Sequence, residues 1–341
     1  MKKRRNHVTI LLSGTAMILL LCNAKLSLVY ASGAINLCVS SLIPSLFPFM
    51  FLAVLLNGAL CGVEFSFLRI IGKICRIPIG GEILFLLGIL GGYPVGAQVI
   101  SNTYQTGNLH KNDAERMLAF CNNAGPSFIF GIIGPLFQSI KIPVLLWCIQ
   151  IASALITAVL LRCSSGKSVT IRNQNQISIT DSLEKSVKTM GLICGWVILF
   201  RIIVGFVERT LMSYLPSCAI TILTGFLELT NGCIRLYSIE NLGLRFIFAS
   251  GFLSLGGLCV ALQTASATAG LDLKLYFIGK CIQTAISVLF ALLLQSFIFQ
   301  QQDRFINLTV PGQIAMFSLL GISLFVLCKK VVAIPNKVIY N

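Results

Sequence analysis

The chain has 341 residues, 56% of them hydrophobic and only 11% charged, and its mean hydropathy of +0.89 lies above what a water-soluble globule carries. At about 20 apolar residues per crossing, the apolar segments fill roughly eight spans plus shorter pieces, which excludes an ordinary cytosolic enzyme and predicts a polytopic membrane protein. The net charge of +15 comes from Lys and Arg that mostly flank apolar segments, where they report orientation and contact anionic headgroups; no basic helix or stacking module accompanies them, so no nucleic-acid partner is expected.

The N-terminal Lys2-Lys3-Arg4-Arg5 runs into an apolar stretch from Val8 to about Cys22, which fits a signal peptide or a first transmembrane helix. The small-residue site Ala31-Ser32-Gly33 comes late and membrane segments follow it, which favours the helix, with the N-terminus cytoplasmic. That span is expected to end near Tyr30 and a second, about Ala34 to Ala59, to return inward with kinks at Pro44 and Pro48. Residues 64–79 then place Arg69, Lys73 and Arg76 on one face of a helix lying in the inner interface.

Segment 82–105 sets the topology. Its apolar run Ile83 to Leu90 stops at Gly91-Gly92-Tyr93-Pro94-Val95-Gly96 and turns polar at Gln98, Ser101 and Asn102, too short for a crossing. A re-entrant hairpin is expected, its Gly-Gly-Tyr-Pro turn at membrane depth. A helix from about Asn112 then breaks at Asn122-Asn123-Ala124-Gly125-Pro126, resumes through Ser127, and is followed by a span at 143–161. The basic loop 162–188 lies in the cytoplasm on this count.

The plan then repeats: a span from about Val187 to Val207, an amphipathic piece at 208–216, and an apolar run 218–227 broken by Glu228-Leu229-Thr230-Asn231-Gly232 as a second hairpin. A helix from about Glu240 breaks near Ser254-Leu255-Gly256-Gly257 and continues through Gln263, before spans at 273–299 and 313–328. Lys329, Lys330 and Lys337 put the C-terminus inside. One hairpin opens inward and the other outward. The predicted fold is therefore all-α, with about eight transmembrane helices, two re-entrant hairpins and two broken helices in an inverted-topology repeat. Its units are 1–81 (N-terminal helices and interfacial helix), 82–161 (first repeat), 162–216 (loop and linking span), 217–300 (inverted repeat) and 301–341 (last span and tail).

Interrupted helices expose unpaired backbone groups, tolerable at membrane depth only inside protein or beside a polar cavity. Half-helix N-termini suit a carboxylate or phosphate, and the opposite ends suit a cation. The candidate substrate contacts are Gly92, Tyr93, Gln98, Asn122, Asn123, Gly125 and Ser127, with Glu228, Thr230, Asn231, Ser250, Ser254 and Gln263 from the second half. Polar residues in membrane helices also serve as interhelical contacts alone. Glu228 stays open between proton carrier, cation ligand, substrate partner, a headgroup contact and a pair with a basic neighbour. Arg201 is open between attracting an anion and reaching the interface beside Glu208. Gly191, Gly195 and Gly321 read as close helix packing.

The thirteen cysteines contain no CxxC, and His7 and His110 are far apart, so no metal site and no cofactor is expected. No Gly-Lys-Ser/Thr follows the glycine-rich stretch, and there is no Gly-x-Ser-x-Gly elbow or paired His-Glu helix, so neither ATP-driven transport nor an enzyme is expected.

The stretch Gly92-Tyr93-Pro94-Val95-Gly96-Ala97, the run Glu115-Arg116-Met117-Leu118-Ala119-Phe120-Cys121-Asn122-Asn123-Ala124-Gly125-Pro126, and Ser254-Leu255-Gly256-Gly257-Leu258-Cys259 with Gln263 resemble the YlbJ family of sporulation integral membrane proteins. That family carries the Gate, or nucleoside-recognition, domain and resembles the concentrative nucleoside transporters. The resemblance implies an endospore-forming bacterium, a place in the outer forespore membrane, and movement of dipicolinic acid toward the developing spore, for which the two inverted halves suggest alternating access. It carries ligand contact to 92–98, 122–127, 228–231 and 254–263. The nucleoside transporters place acids at their breaks, whereas here only Glu228 is acidic, which disfavours a nucleoside cargo. The alternatives are a nucleoside or other metabolite permease and a non-transporting assembly protein. The coupling ion, sodium or proton, is left open, and a homo-oligomer is implied only by analogy.

Overall fold

The computed structural model describes residues 2–60, 67–161 and 178–299, and every regular element among them is helical. Six helical stretches are long and apolar enough to cross a membrane: Ala24–Leu56, Lys111–Leu136, Lys141–Leu160, Ile179–Leu211, Leu242–Ala267 and Lys274–Ile298. The chain is thus an integral membrane protein by length and composition. The expected span 313–328, the unit 301–341 with its lysines and Gly321, and residues 162–177 of the basic loop lie outside the described residues.

The N-terminal boundaries differ from expectation. Helix α1 (Lys2–Cys22) meets α2 (Ala24–Leu37) at Asn23, not near Tyr30. Asn23 leaves the helical region at φ −121°, and its side-chain amide takes the Leu19 carbonyl at 3.1 Å, the competition with the backbone that makes Asn a poor helix interior. Ala31, Ser32 and Gly33 keep their N–H groups and stay helical. A π-helical turn at Cys38–Leu42 carries α2 into α3 (Ile43–Leu60), so one continuous helical stretch stands where a turn between two spans was expected. The irregularity falls just before Pro44, which cannot donate to the turn behind it.

Helix α4 (Leu68–Cys75) is amphipathic as expected but shorter, and residues 64–66 of the expected helix are outside the described residues. Leu68, Gly72 and Cys75 face the protein while Lys73 and Arg76 are exposed. Arg69 forms an ion pair with Glu82. Arg116 donates to the Cys75 and Arg76 carbonyls at 3.1 and 2.7 Å, capping the carbonyl end of α4.

Two series of elements then follow in the same order. In the first, α5 (Glu82–Gly91) and α6 (Val95–Gln105) form a helical hairpin; α7 (Lys111–Cys121) breaks and restarts at α8 (Pro126–Phe128), continuing to Leu136; α9 (Lys141–Leu160) ends the series. Helices of 10 and 11 residues rise about 15 Å each, half of a hydrocarbon core of about 30 Å. Helix α10 (Ile179–Leu211) links the series. It starts two turns ahead of the expected Val187, where Ser178 accepts from Asp181 N–H at 3.0 Å, and runs on through Leu211. No separate amphipathic piece exists at 208–216, because no Gly or Pro interrupts the chain between Val207 and Leu211. A Cβ on Gly191 or Gly195 would meet nothing within 4 Å, so these glycines mediate no close helix approach, contrary to expectation.

In the second series, α11 (Ser217–Leu227) and α12 (Leu229–Arg235) are separated at Glu228; α13 (Leu242–Leu255) and α14 (Gly257–Ala267) are separated at Gly256; α15 (Lys274–Ile298) follows. The two broken helices run in opposite directions. Arg245, at the head of the second, donates to the Leu136 carbonyl at the foot of the first (2.6 Å), and Phe246 stacks edge-on to Phe137 with ring centroids 6.5 Å apart. At the other end, the Asp272 N–H beyond α14 donates to Glu115 at the head of the first (2.8 Å).

Candidate functional site

Each break has its own local cause. At the first, Asn122 ends α7 in an extended conformation (ψ 96°), and Gly125 is extended (ψ 161°) because a residue before proline is driven from the helical region. Pro126 then restarts the helix at a position where no N–H is needed. At the second, Gly256 closes α13 in the left-handed region (φ +77°), donating to the Phe252 carbonyl at 2.9 Å.

Backbone packs directly on backbone between each hairpin and its neighbouring break. A Cβ on Gly92 would stand 2.8 Å from the Gly125 nitrogen, and one on Gly125 would stand 2.9 Å from Gly92 Cα. In the second half, a Cβ on Gly257 would stand 2.9 Å from the Gly225 carbonyl oxygen. The halves also touch each other: Tyr93 Oη donates to the Leu253 carbonyl at 3.1 Å and its ring covers Gly256, while Asn122 Nδ2 donates to Thr264 Oγ1 at 2.8 Å.

Tips and breaks from both halves meet around a cavity of about 40 Å³, lined by Gly92, Tyr93, Gly125, Glu228, Thr230 and Gln263 among others. Beside it lies a larger, open vestibule of about 510 Å³, and Ile193 and Gln263 line both. The vestibule takes its polar lining from Gln98, Asn102, Gln105 and Thr106 on the α6 side, Lys185, Lys188 and Thr189 on α10, and Gln263 and Ser266 on α14. Trp196 supplies an aromatic wall. Among the described residues, two lysines and no carboxylate line it. Gln98 donates to Thr189 Oγ1 at 2.9 Å, tying hairpin to α10.

Glu228 lines the small cavity but its oxygens are engaged. One accepts from Thr230 N–H at 3.0 Å; the other accepts from the backbone and side-chain amides of Asn231, both at 2.6 Å. It is an N-cap whose charge is met by the first turn of α12. Of the alternatives left open for it, contact with a headgroup is excluded by its burial at 2% exposure.

The remaining expected residues stand behind the cavity. Asn123 is held by Phe120, Lys280 and Gln283. Ser254 Oγ donates to Gln150 at 3.0 Å, and Ser250 and Ser287 pair at 2.6 Å across α13 and α15, an interhelical contact. Ser127 Oγ is buried at the first break with no partner among the described residues. Arg201 pairs with Glu208 at 3.5 Å, and Arg235 joins the same carboxylate at 3.0 Å.

Sequence reasoning missed Lys280, Gln283 and Gln150, and missed the α10 lysines as part of the site. The signal for Lys280 was present: one lysine well inside an apolar span, with Gln283 one turn beyond it, is a functional flag in a membrane helix.

No family model matches the chain, and no solved structure matches it. Among curated proteins, the sporulation integral membrane protein YlbJ of Bacillus subtilis (strain 168) is 26% identical, over 74% of this chain and 73% of that protein. The similarity agrees with the resemblance carried by the motifs: over most of its length this chain is similar to a sporulation integral membrane protein.

Proposed function

We propose that the protein is a secondary or facilitative transporter of a small organic anion, acting by alternating access and not as an enzyme. The observation that carries this reading is the vestibule: about 510 Å³, lined by Lys185 and Lys188 with no carboxylate among the described residues, and sharing Gln263 with the cavity where tips and breaks converge. Lysines at a mouth with low-dielectric walls raise the local concentration of anions. Amides and hydroxyls beyond them receive carboxylate oxygens and an aromatic ring without an acid to repel them. The antiparallel course of the two broken helices supports reading the halves as an inverted repeat and the short hairpins as re-entrant.

Dipicolinic acid, an aromatic dianion, is the cargo that the resemblance implies and the lining suits. The basic residues about α4 and the vestibule favour a cytoplasmic mouth by the positive-inside bias, with the N-terminus on the same side. In the outer forespore membrane that mouth faces the mother cell. The single acid among the tips, Glu228, is capped onto α12, which weighs against a nucleoside cargo of the acid-lined type.

Uptake of labelled dipicolinate and of uridine into proteoliposomes tests this, comparing wild type with Gln263→Ala and Gln98→Ala. Dipicolinate uptake, lost in variants that keep wild-type thermal stability, supports the reading. Uridine uptake alone establishes a nucleoside permease instead. No flux of either from folded protein supports an assembly role, which the buried interhelical bonds of Asn123, Ser250 and Ser254 would serve.

A further inference from the structure

Lys280 is the feature that the transport reading leaves unused. It stands two turns into α15 at 2% exposure, and α15 carries no other charge from there to Ile298. Its Nζ donates to Gln283 Oε1 at 2.9 Å and to Tyr93 Oη and Asn123 Oδ1, both at 3.3 Å. The Tyr93 and Tyr276 rings face it with centroids 5.1 and 5.9 Å away.

Each of the three oxygens is held as an acceptor. The Tyr93 hydroxyl gives its proton to the Leu253 carbonyl at 3.1 Å. Asn123 Nδ2 is spent on the Phe120 carbonyl at 2.7 Å, and Asn123 Oδ1 accepts Gln283 Nε2 at 2.8 Å, which fixes both amides with oxygen towards Lys280. Three acceptors match the three N–H bonds of an ammonium; a neutral amine would present its lone pair to a cage with no proton to give. Among the described residues no carboxylate pairs with Lys280. The helices packed on α15 bring the Cys121 thiol from α7, the Gln150 amide from α9 and the Ser250 and Ser254 hydroxyls from α13 towards this region, none of them an anion in its ordinary state.

The cage joins four pieces: the first hairpin tip through Tyr93, the first break through Asn123, α15 itself, and the last turn of α13 through the Leu253 carbonyl. Neutral oxygens from a tip and a break converging on one positive charge are what a transporter offers a coupling cation. Here the cation is attached to the chain. We propose that Lys280 is a tethered cation, holding tip to break in the place of a bound sodium, so that the carrier moves its anion without sodium; the last clause rests on the transport reading.

The test begins without transport. Thermal unfolding of the purified protein in detergent is measured in choline, sodium and methylammonium chloride, for wild type and Lys280→Ala. Wild type is expected to unfold at the same temperature in sodium as in choline. Lys280→Ala is expected to melt lower by roughly 5 °C or more and to recover in methylammonium, whose three N–H bonds refill the cage. A wild type that sodium stabilises, or a Lys280→Ala as stable as wild type, overturns the proposal. If Lys280→Ala does not fold, Lys280→Met keeps the stem without the charge, and a Met variant matching wild type overturns it equally. Dipicolinate uptake by wild-type proteoliposomes is then compared with and without a sodium gradient: equal rates support the proposal and sodium stimulation overturns it. No dipicolinate flux from protein with the expected melting pattern supports the tether and refutes the cargo.

Discussion

Glu228 shows how one side chain decides what a helix break can do. Both oxygens are committed to amides of Thr230 and Asn231, so the group organises α12 and, among the described residues, the cavity has no free acid. Glu228→Ala removes the acceptor for two buried backbone N–H groups and the Asn231 side-chain amide and is expected to cost about 1–2 kcal/mol, read as a lower unfolding temperature of the purified protein. Glu228→Gln keeps one acceptor oxygen and is expected to lose less than the Ala variant. An equal loss in both would mean that the charge, and not the cap, is what the site uses. Lys280 is the complementary case, a charge satisfied wholly by neutral oxygens.

At the scale of elements, the hairpins and breaks are joined by glycine contacts that admit no side chain. Gly125→Ala is expected to force Gly92 and the first tip apart and to lower stability by more than about 3 kcal/mol, seen as lost expression or an early thermal transition. Gly191→Ala, where a Cβ meets nothing within 4 Å, is expected to leave stability unchanged or raise it by about 0.5–1 kcal/mol through helix propensity. Breaks were legible in the sequence because Gly, Pro and paired amides interrupt apolar runs, and those are local effects. The helix from Ala24 through the Cys38–Leu42 turn was not legible, since an apolar stretch longer than one crossing reads as two spans, and nothing local in it marks that the helix runs on. The partner of each tip was not legible either: Tyr93 meets Leu253, 160 positions away, and no local pattern encodes such a pairing. Lys280 was overlooked because averaging hydropathy along an apolar span hides a single charge.

At the scale of the whole molecule, the 33-residue α10 rises about 50 Å and connects two charged ends. Lys185 and Lys188 line the vestibule near one, while Glu208 holds Arg201 and Arg235 near the other, tying α12 to α10. On the proposed transport of dipicolinate, replacing both Lys185 and Lys188 by Gln is expected to raise the KM for uptake about 3- to 10-fold with little change in maximal rate, and to flatten its dependence on salt, since exposed charges are screened over about 8 Å at 0.15 M. A fall in maximal rate at unchanged KM would place these lysines in the moving step instead of in capture.

The disparity between an outer chamber of about 510 Å³ and an inner one of about 40 Å³ also bears on pharmacology. A rigid aromatic diacid has room in the first, whereas the second is too small to admit it unless the tips part. Diacids extended by a bulky substituent should therefore dock at the mouth, stall before the tips, and behave as competitive, non-transported blockers, giving a route to inhibitors that begins from the shape of the entrance.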